Sequence, residues 1–195
     1  AFDAPVSVEK LEIAGGGHQG GILAFGDSIT HHCRWQDTVG KLAGLEIGNG
    51  GMACDDTINA RKRLESDVIA LQPDLVLLLL GTNNSSATQA MTDLKYIIRR
   101  LRSARINVIV CTILPRPQPE RAVKLNRLLR QYCRQEQILL HDWYEVMNDG
   151  NGNMKKEYGG DVHPNTRGIE VMARSFIENP VVKKFILQST ERKDK

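Results

Sequence analysis

Apolar residues along the chain gather in short runs separated by amphipathic stretches. Five runs have the length and continuity of strands: Ile22 to Phe25, Leu45 to Ile47, Leu75 to Leu80, Ile106 to Cys111 and Ile138 to Leu140. Between them the apolar positions recur at helical spacing. Met91, Leu94, Ile98 and Leu101 form one stripe within 90–101, and Lys95, Arg99, Arg100 and Arg102 fall elsewhere, as a solvated face would. Leu125, Leu128, Leu129 and Tyr132 make a second stripe, and Ile169, Met172, Ala173 and Phe176 a third. Two further helices are predicted over Trp35 to Leu42 and Thr57 to Leu71, the latter turning Ile58, Leu64, Val68 and Leu71 inward, with Pro73 as its stop. Short apolar strands alternating with helices predict an α/β fold, a parallel sheet covered on both faces.

Two glycine-rich segments interrupt this rhythm. The run from Gly15 to Gly21 contains G-x-G-x-x-G at Gly15, Gly17 and Gly20, but it leads into a strand-like run where a dinucleotide site requires a helix. It reads as a turn, and Val6, Val8, Leu11 and Ile13 before it as a strand or extended arm. The stretch Asn148 to Gly160 separates the last strand from the last helix, and it delivers Asp161 and His163 to the rim where parallel sheets bind ligands.

Composition narrows the class. With 195 residues, 41% hydrophobic and 25% charged, the chain has the material for one folded domain over 1–195, with an arm at 1–20 and a basic tail at 183–195. No apolar run is long enough for a membrane span, so no integral membrane contact is expected. The net charge of +3 equals that of the last thirteen residues alone, and the balanced remainder argues against nucleic acid as a partner. Oligomeric state is not legible. An initial Ala is compatible with a removed leader, which leaves both a cytoplasmic and a secreted location open. The four cysteines show no C-x-x-C pair, and no metal site is expected. Cys111 and Cys133 read as buried thiols, whereas Cys33 and Cys54 fall in loop-like segments where a disulfide is conceivable.

Chemistry concentrates at three strand ends. Gly26-Asp27-Ser28-Ile29-Thr30 follows the first run, Gly81-Thr82-Asn83-Asn84 the third, and His163 precedes Pro164 before the last helix. A serine nucleophile needs a base, the base needs an orienting group, and acyl transfer needs donors aimed at an oxyanion. Ser28, His163, a nearby Asp and Asn83 fit those roles. The plain alternative for Ser28 is a residue capping a strand-to-helix turn.

These blocks resemble those of the GDSL-type, or SGNH, esterases and lipases, over most of Ile22 to Phe176. Gly26-Asp27-Ser28-Ile29 matches the G-D-S-[LI] nucleophile block. Asn49-Gly50-Gly51-Met52-Ala53-Cys54-Asp55 matches N-x-G-x-x-G-D, with Cys54 at the usual second glycine, and Gly81-Thr82-Asn83-Asn84 matches G-x-N-D, with Asn84 at the usual Asp. The last block is usually D-x-x-H; here Gly160-Asp161-Val162-His163 shifts the acid by one place. The resemblance implies a flavodoxin-like three-layer α/β/α sandwich with a five-stranded parallel sheet. It implies catalytic Ser28, His163 and Asp161, with Asp142 as the alternative acid, and an oxyanion hole of Ser28, Gly51 and Asn83. It further implies a serine esterase working without cofactor or metal on a small-molecule, lipid or carbohydrate ester, with small acyl groups favoured as in acetylesterases, lysophospholipases or arylesterases. The displaced acid and Cys54 motivate the alternative, a non-catalytic small-molecule or carbohydrate binding module on the same fold.

Other reactive side chains read as structural. His31 and His32 suit a solvated helix start, and His18, among glycines, and His141, at a strand end, suit structural places. Nothing marks Cys33 as an activated nucleophile. Asn84-Ser85-Ser86 is a glycosylation sequon, but a glycan there would crowd the site. The residues after Lys184 lie outside the constellation and are expected to be dispensable for chemistry.

Overall fold

The computed structural model describes residues 20–190, so the arm at 1–20, apart from Gly20, lies outside the described residues, as does His18. Five strands, β1 (Ile22–Gly26), β2 (Ile47–Gly51), β3 (Leu75–Leu79), β4 (Asn107–Cys111) and β5 (Leu139–His141), pair in the order β2-β1-β3-β4-β5. All pairings are parallel, with Ile22 opposite both Ile47 and Leu75. The flavodoxin-like order places β1 and β3 centrally, where both faces are covered, and their sequences ILAFG and LVLLL are buried throughout. Successive side chains point to opposite faces. Leu23, Phe25, Val76 and Leu78 therefore pack against one set of helices, and Ile22, Ala24, Leu75 and Leu77 against the other.

The first set is α3 (Thr57–Asp67), α4 (Ala87–Ser103) and α5 (Glu120–Gln135), which contribute Leu64, Leu94 and Leu129 to the first core. The second set holds α1 (Ser28–Cys33), α2 (Trp35–Ala43), α6 (Trp143–Met147), α7 (Thr166–Glu178) and α8 (Pro180–Thr190). Its core is aromatic: the Trp35 and Trp143 rings meet edge-on with centroids 4.7 Å apart, and Phe176 packs against both.

Several elements differ from expectation. The second strand is Ile47–Gly51 and not Leu45 to Ile47, because an edge strand of half-buried Gly and Asn leaves no apolar run to read. The helix expected to reach Leu71 stops at Asp67 and becomes a 3₁₀ turn over Ile69–Leu71, and Ile58, expected inward, is 44% exposed while Ala60 takes the buried position. The tail read from 183 begins as the helix α8, which buries Val182 and Ile186 against the second core. Cutting the chain after Lys184 would remove core contacts as well as charge. All four thiols are free, so Cys33 and Cys54 are not joined.

Candidate active site

The serine is placed by a forced exit from the sheet. A Cβ at Gly26 would lie 2.4 Å from the Leu79 carbonyl oxygen and equally close to Thr30 Oγ1, so only glycine lets β1 turn this tightly beside β3. Asp27 then adopts an extended conformation and caps α1, its Oδ1 accepting from the Ile29 N–H at 3.0 Å. Ser28 becomes the first residue of α1, at the C-terminal edge of a central strand and 8% exposed.

The histidine comes from the Asn148–Gly160 side of the rim, on a loop shaped by its own side chains. Asn148 Oδ1 accepts from the Gly150 and Gly152 N–H groups, and Asp149 Oδ1 from those of Asn151 and Asn153. Gly159 and Pro164 then form an isolated bridge, while Asn165 caps α7 by accepting from the Gly168 N–H. His163 sits inside this clasp. Its Nε2 lies 3.0 Å from Ser28 Oγ, across 135 residues of sequence. With the ring proton on Nδ1, the serine hydroxyl donates to Nε2, as a general base requires.

Asp161, expected to hold that Nδ1, is turned elsewhere. Its Oδ1 accepts from the N–H groups of Val162 and His163, the latter at 2.9 Å, and stands 3.8 Å from Nδ1, beyond hydrogen-bond length. The His163 N–H is the largest influence holding its pKa below the usual carboxylate range. The one-place shift from the family spacing thus converts the acid into a brace for the loop backbone. Asp142, the alternative, caps α6 and is bound by Arg130 at 2.6 Å and Thr112 at 3.0 Å. Asp161→Asn keeps an oxygen for the two N–H groups and removes a charge that is 69% exposed, so turnover should fall by about tenfold or less. Removing a directly bonded triad carboxylate costs roughly 10⁴-fold. Single-turnover acylation by the variant separates the two, and a loss of the larger size would mean that the carboxylate swings onto Nδ1 during reaction.

The oxyanion side also departs from expectation at one position. The Gly51 N–H donates to Asn49 Oδ1 at 2.9 Å, so it is already engaged. Glycine is required here for a different reason: a Cβ would lie 2.4 Å from the His31 backbone nitrogen, where β2 passes under α1. Cys54 takes a left-handed φ of 59°, which accounts for the usual glycine at its place. Asn83 is exposed, and its Nδ2 donates to the Asp55 carbonyl at 2.8 Å, leaving one of its two amide hydrogens for a ligand. Asn84 is buried and interlocked with Thr57: it accepts from the Thr57 N–H and donates to Thr57 Oγ1 at 2.8 Å, while that hydroxyl donates to Asp93. An Asp at 84 could not donate to the Thr57 hydroxyl, whose own proton goes to Asp93, so this arrangement suits Asn at the place where G-x-N-D has Asp.

Sequence reading missed Arg63, on which this side of the site is built. It is 11% exposed, lies 4.3 Å above the Phe25 ring, and binds the Asp55 carboxylate at 2.7 Å. It also donates to the Gly26 and Gly50 carbonyls at 3.0 Å each, tying the ends of β1 and β2 to the loop that orients Asn83. Its i,i+4 pairing with Asp67 is local, whereas the Asp55, Gly50 and Gly26 partners lie 8, 13 and 37 residues away and were not legible.

Burial sets the titration of the remaining groups. Cys33 is pushed up to about 11 by burial and by the charges of Asp27 and Asp161, opposite to an activated thiol. His141, packed against Trp143 and Phe176, is pushed down to about 4 by burial. His31 Nδ1 lies 3.2 Å from the Gly51 carbonyl oxygen, and its ring meets His32 edge-on. Asp27 is fully buried, and burial raises its carboxyl from 3.8 to about 6 against the opposing hydrogen bond from the Ile29 N–H. A folded pKa above the unfolded one means that native Asp27 takes up its proton first as pH falls. The contribution of Asp27 to stability therefore rises as pH drops from about 6 to about 4, against the opposite contribution of His141, and the ionised carboxylate destabilises the fold above that window. Asp27→Asn should exceed wild type in stability by up to about 3 kcal/mol at pH 8, with the difference vanishing near pH 4. Urea melts at both pH values test this, and an unchanged or lower midpoint for the variant at pH 8 would contradict it.

A serine hydroxyl against an imidazole, at the C-terminal edge of a parallel sheet covered on both faces, is a layout suited to serine-dependent acyl transfer. The chain belongs to the GDSL-like lipase/acylhydrolase family, whose sequence model matches residues 24–171. Its fold is similar to a GDSL-like lipase from Bacteroides thetaiotaomicron, with 21% identity, a TM-score of 0.73, and coverage of 82% of this chain and 87% of that one. A lipase/acylhydrolase from Enterococcus faecalis gives 24%, 0.69, 83% and 94%, and an acetyl xylan esterase 21%, 0.68, 80% and 98%, in the same order. The uncharacterized lipoprotein YqeF of Bacillus subtilis is 28% identical over 117 residues, covering 48% of each chain, so the chain spans about half the length of this curated relative. Among the described residues, no helix is long and apolar enough to cross a membrane, and no three His, Cys, Asp or Glu side chains gather as metal ligands would.

Proposed function

We propose that the protein is a serine esterase that hydrolyses carboxylic esters through an acyl-enzyme on Ser28. The observation that carries this reading is the 3.0 Å approach of Ser28 Oγ to His163 Nε2 at the strand edge. His163 takes the hydroxyl proton as Ser28 attacks the ester carbonyl. The resulting oxyanion is met by the Ser28 N–H at the start of α1 and by the free amide hydrogen of Asn83. His163 then gives the proton to the departing alcohol. Water, deprotonated by the same imidazole, cleaves the acyl-serine and restores the hydroxyl. Small acyl groups are the favoured substrates, in keeping with the acetyl xylan esterase among the structural neighbours.

The turned-away Asp161 and the engaged Gly51 N–H favour a second reading, a binding module on this fold with little hydrolysis. One experiment separates the two. A panel of p-nitrophenyl esters from acetate to palmitate is assayed with wild type and Ser28→Ala. Esterase action predicts turnover that is highest at short chains and lost in the variant. Equal background rates in both proteins would leave the binding module.

A further inference from the structure

Among the described residues, partly buried arginines are, with two exceptions, matched to carboxylates. Arg63 pairs with Asp55, Arg100 with Glu65 and Arg130 with Asp142. Arg116 and Arg121 are also partly buried, yet among the described residues no carboxylate lies within ion-pair distance of either. Both guanidinium groups converge instead on one neutral oxygen, the Thr82 carbonyl: Arg116 Nη1 donates at 2.5 Å and Arg121 Nη2 at 2.8 Å. Like charges so close repel each other, and a single carbonyl offsets little of that. Burial and the neighbouring Arg116 charge hold Arg121 below the usual arginine range.

Their position is specific. Thr82 is buried and directly precedes Asn83, the side chain that the proposed mechanism sets at the oxyanion. The Arg116 backbone N–H donates to the Gly152 carbonyl at 3.2 Å, which joins the arginine loop to the loop that carries His163. Each guanidinium has five N–H donors, and the Thr82 carbonyl takes one from each. The Arg116 Nε is buried and has no partner.

We infer that Arg116 and Arg121 form a subsite for an anionic oxygen group, a carboxylate or phosphate, carried by the ester substrate beside its scissile bond. An anion between the two guanidiniums relieves their repulsion and receives charge-assisted, fork-shaped hydrogen bonds. This inference rests on the esterase reading and narrows it to negatively charged esters.

The test uses esters matched except for charge. On the acyl side, mono-p-nitrophenyl glutarate is compared with p-nitrophenyl valerate; on the alcohol side, 3-acetoxybenzoate is compared with 3-acetoxybenzamide. At least one pair should favour the anion in kcat/KM by about tenfold. Arg116→Gln and Arg121→Gln should bring that ratio toward one, chiefly through KM, with the Lys variants retaining part of it. Inorganic phosphate should compete with the anionic ester in wild type. A wild-type ratio near one in both pairs overturns the inference without any variant, and phosphate competition without anionic preference overturns it too, because the anion would then not belong to the substrate. Parallel loss on charged and neutral esters in the Gln variants would assign the arginines to propping Thr82 alone. Ser28-dependent turnover without charge preference removes this inference only, whereas no turnover of any ester removes the esterase reading beneath it.

Discussion

Replacing Ser28 by alanine is expected to lower ester turnover by at least about 10³-fold, because the bond that carries the acyl group can no longer form. The fold should survive the change. Ser28 is the first residue of α1, where alanine is well tolerated, and the helix is capped by Asp27 and not by the serine. The one hydrogen-bond partner of its hydroxyl is His163. Removing the oxygen leaves the imidazole 43% exposed to water and strands no buried polar group. Binding of a non-hydrolysable ester analogue should therefore persist while turnover disappears. A fluorophosphonate probe should label wild type and fail to label the variant. Retention of most activity in Ser28→Ala, or labelling of another residue with Ser28 untouched, would end the assignment.

Asn83→Ala should cost roughly 2.7–4 kcal/mol of transition-state stabilisation, a loss of about 10²- to 10³-fold in kcat, as for other single side-chain donors at an oxyanion. The size of the effect depends on preorganisation. The Asp55 carbonyl holds one amide hydrogen of Asn83, and Arg63 holds the Asp55 carboxylate together with the ends of β1 and β2. The second hydrogen is therefore aimed before the charge develops, with no reorganisation during reaction. With the Gly51 N–H engaged by Asn49, the proposed mechanism leaves this donor and the Ser28 N–H to meet the oxyanion. A normal kcat in the variant would remove Asn83 from the mechanism. A raised KM with unchanged kcat would move it to ground-state binding.

What the sequence determined by itself was the layering and the serine. Continuous apolar runs such as Leu75 to Leu80 are buried on both faces wherever they pair, and helical stripes such as Met91, Leu94, Ile98 and Leu101 can face only a core, so both signals are local. The Gly26-Asp27-Ser28 turn is local too, because a capping Asp and a glycine without Cβ dictate the exit from β1. The edge strand β2 was misplaced for the complementary reason: its half-buried Gly and Asn residues pair by backbone alone and leave no side-chain pattern. Tertiary structure alone decided where side chains point within the site. Asp161 was visible beside His163, but whether its carboxylate meets the ring or the backbone depends on the dihedrals of a loop closed by Gly159 and Pro164. The Gly51 N–H, similarly, is taken by the Asn49 side chain two residues back, whose amide nitrogen is held by the Thr30 and His31 carbonyls of α1. Arg63, Arg116 and Arg121 look alike in sequence. One is neutralised by Asp55, and the other two meet a bare carbonyl, because the partner of a long flexible cation is set by which chain segments the sheet brings alongside it.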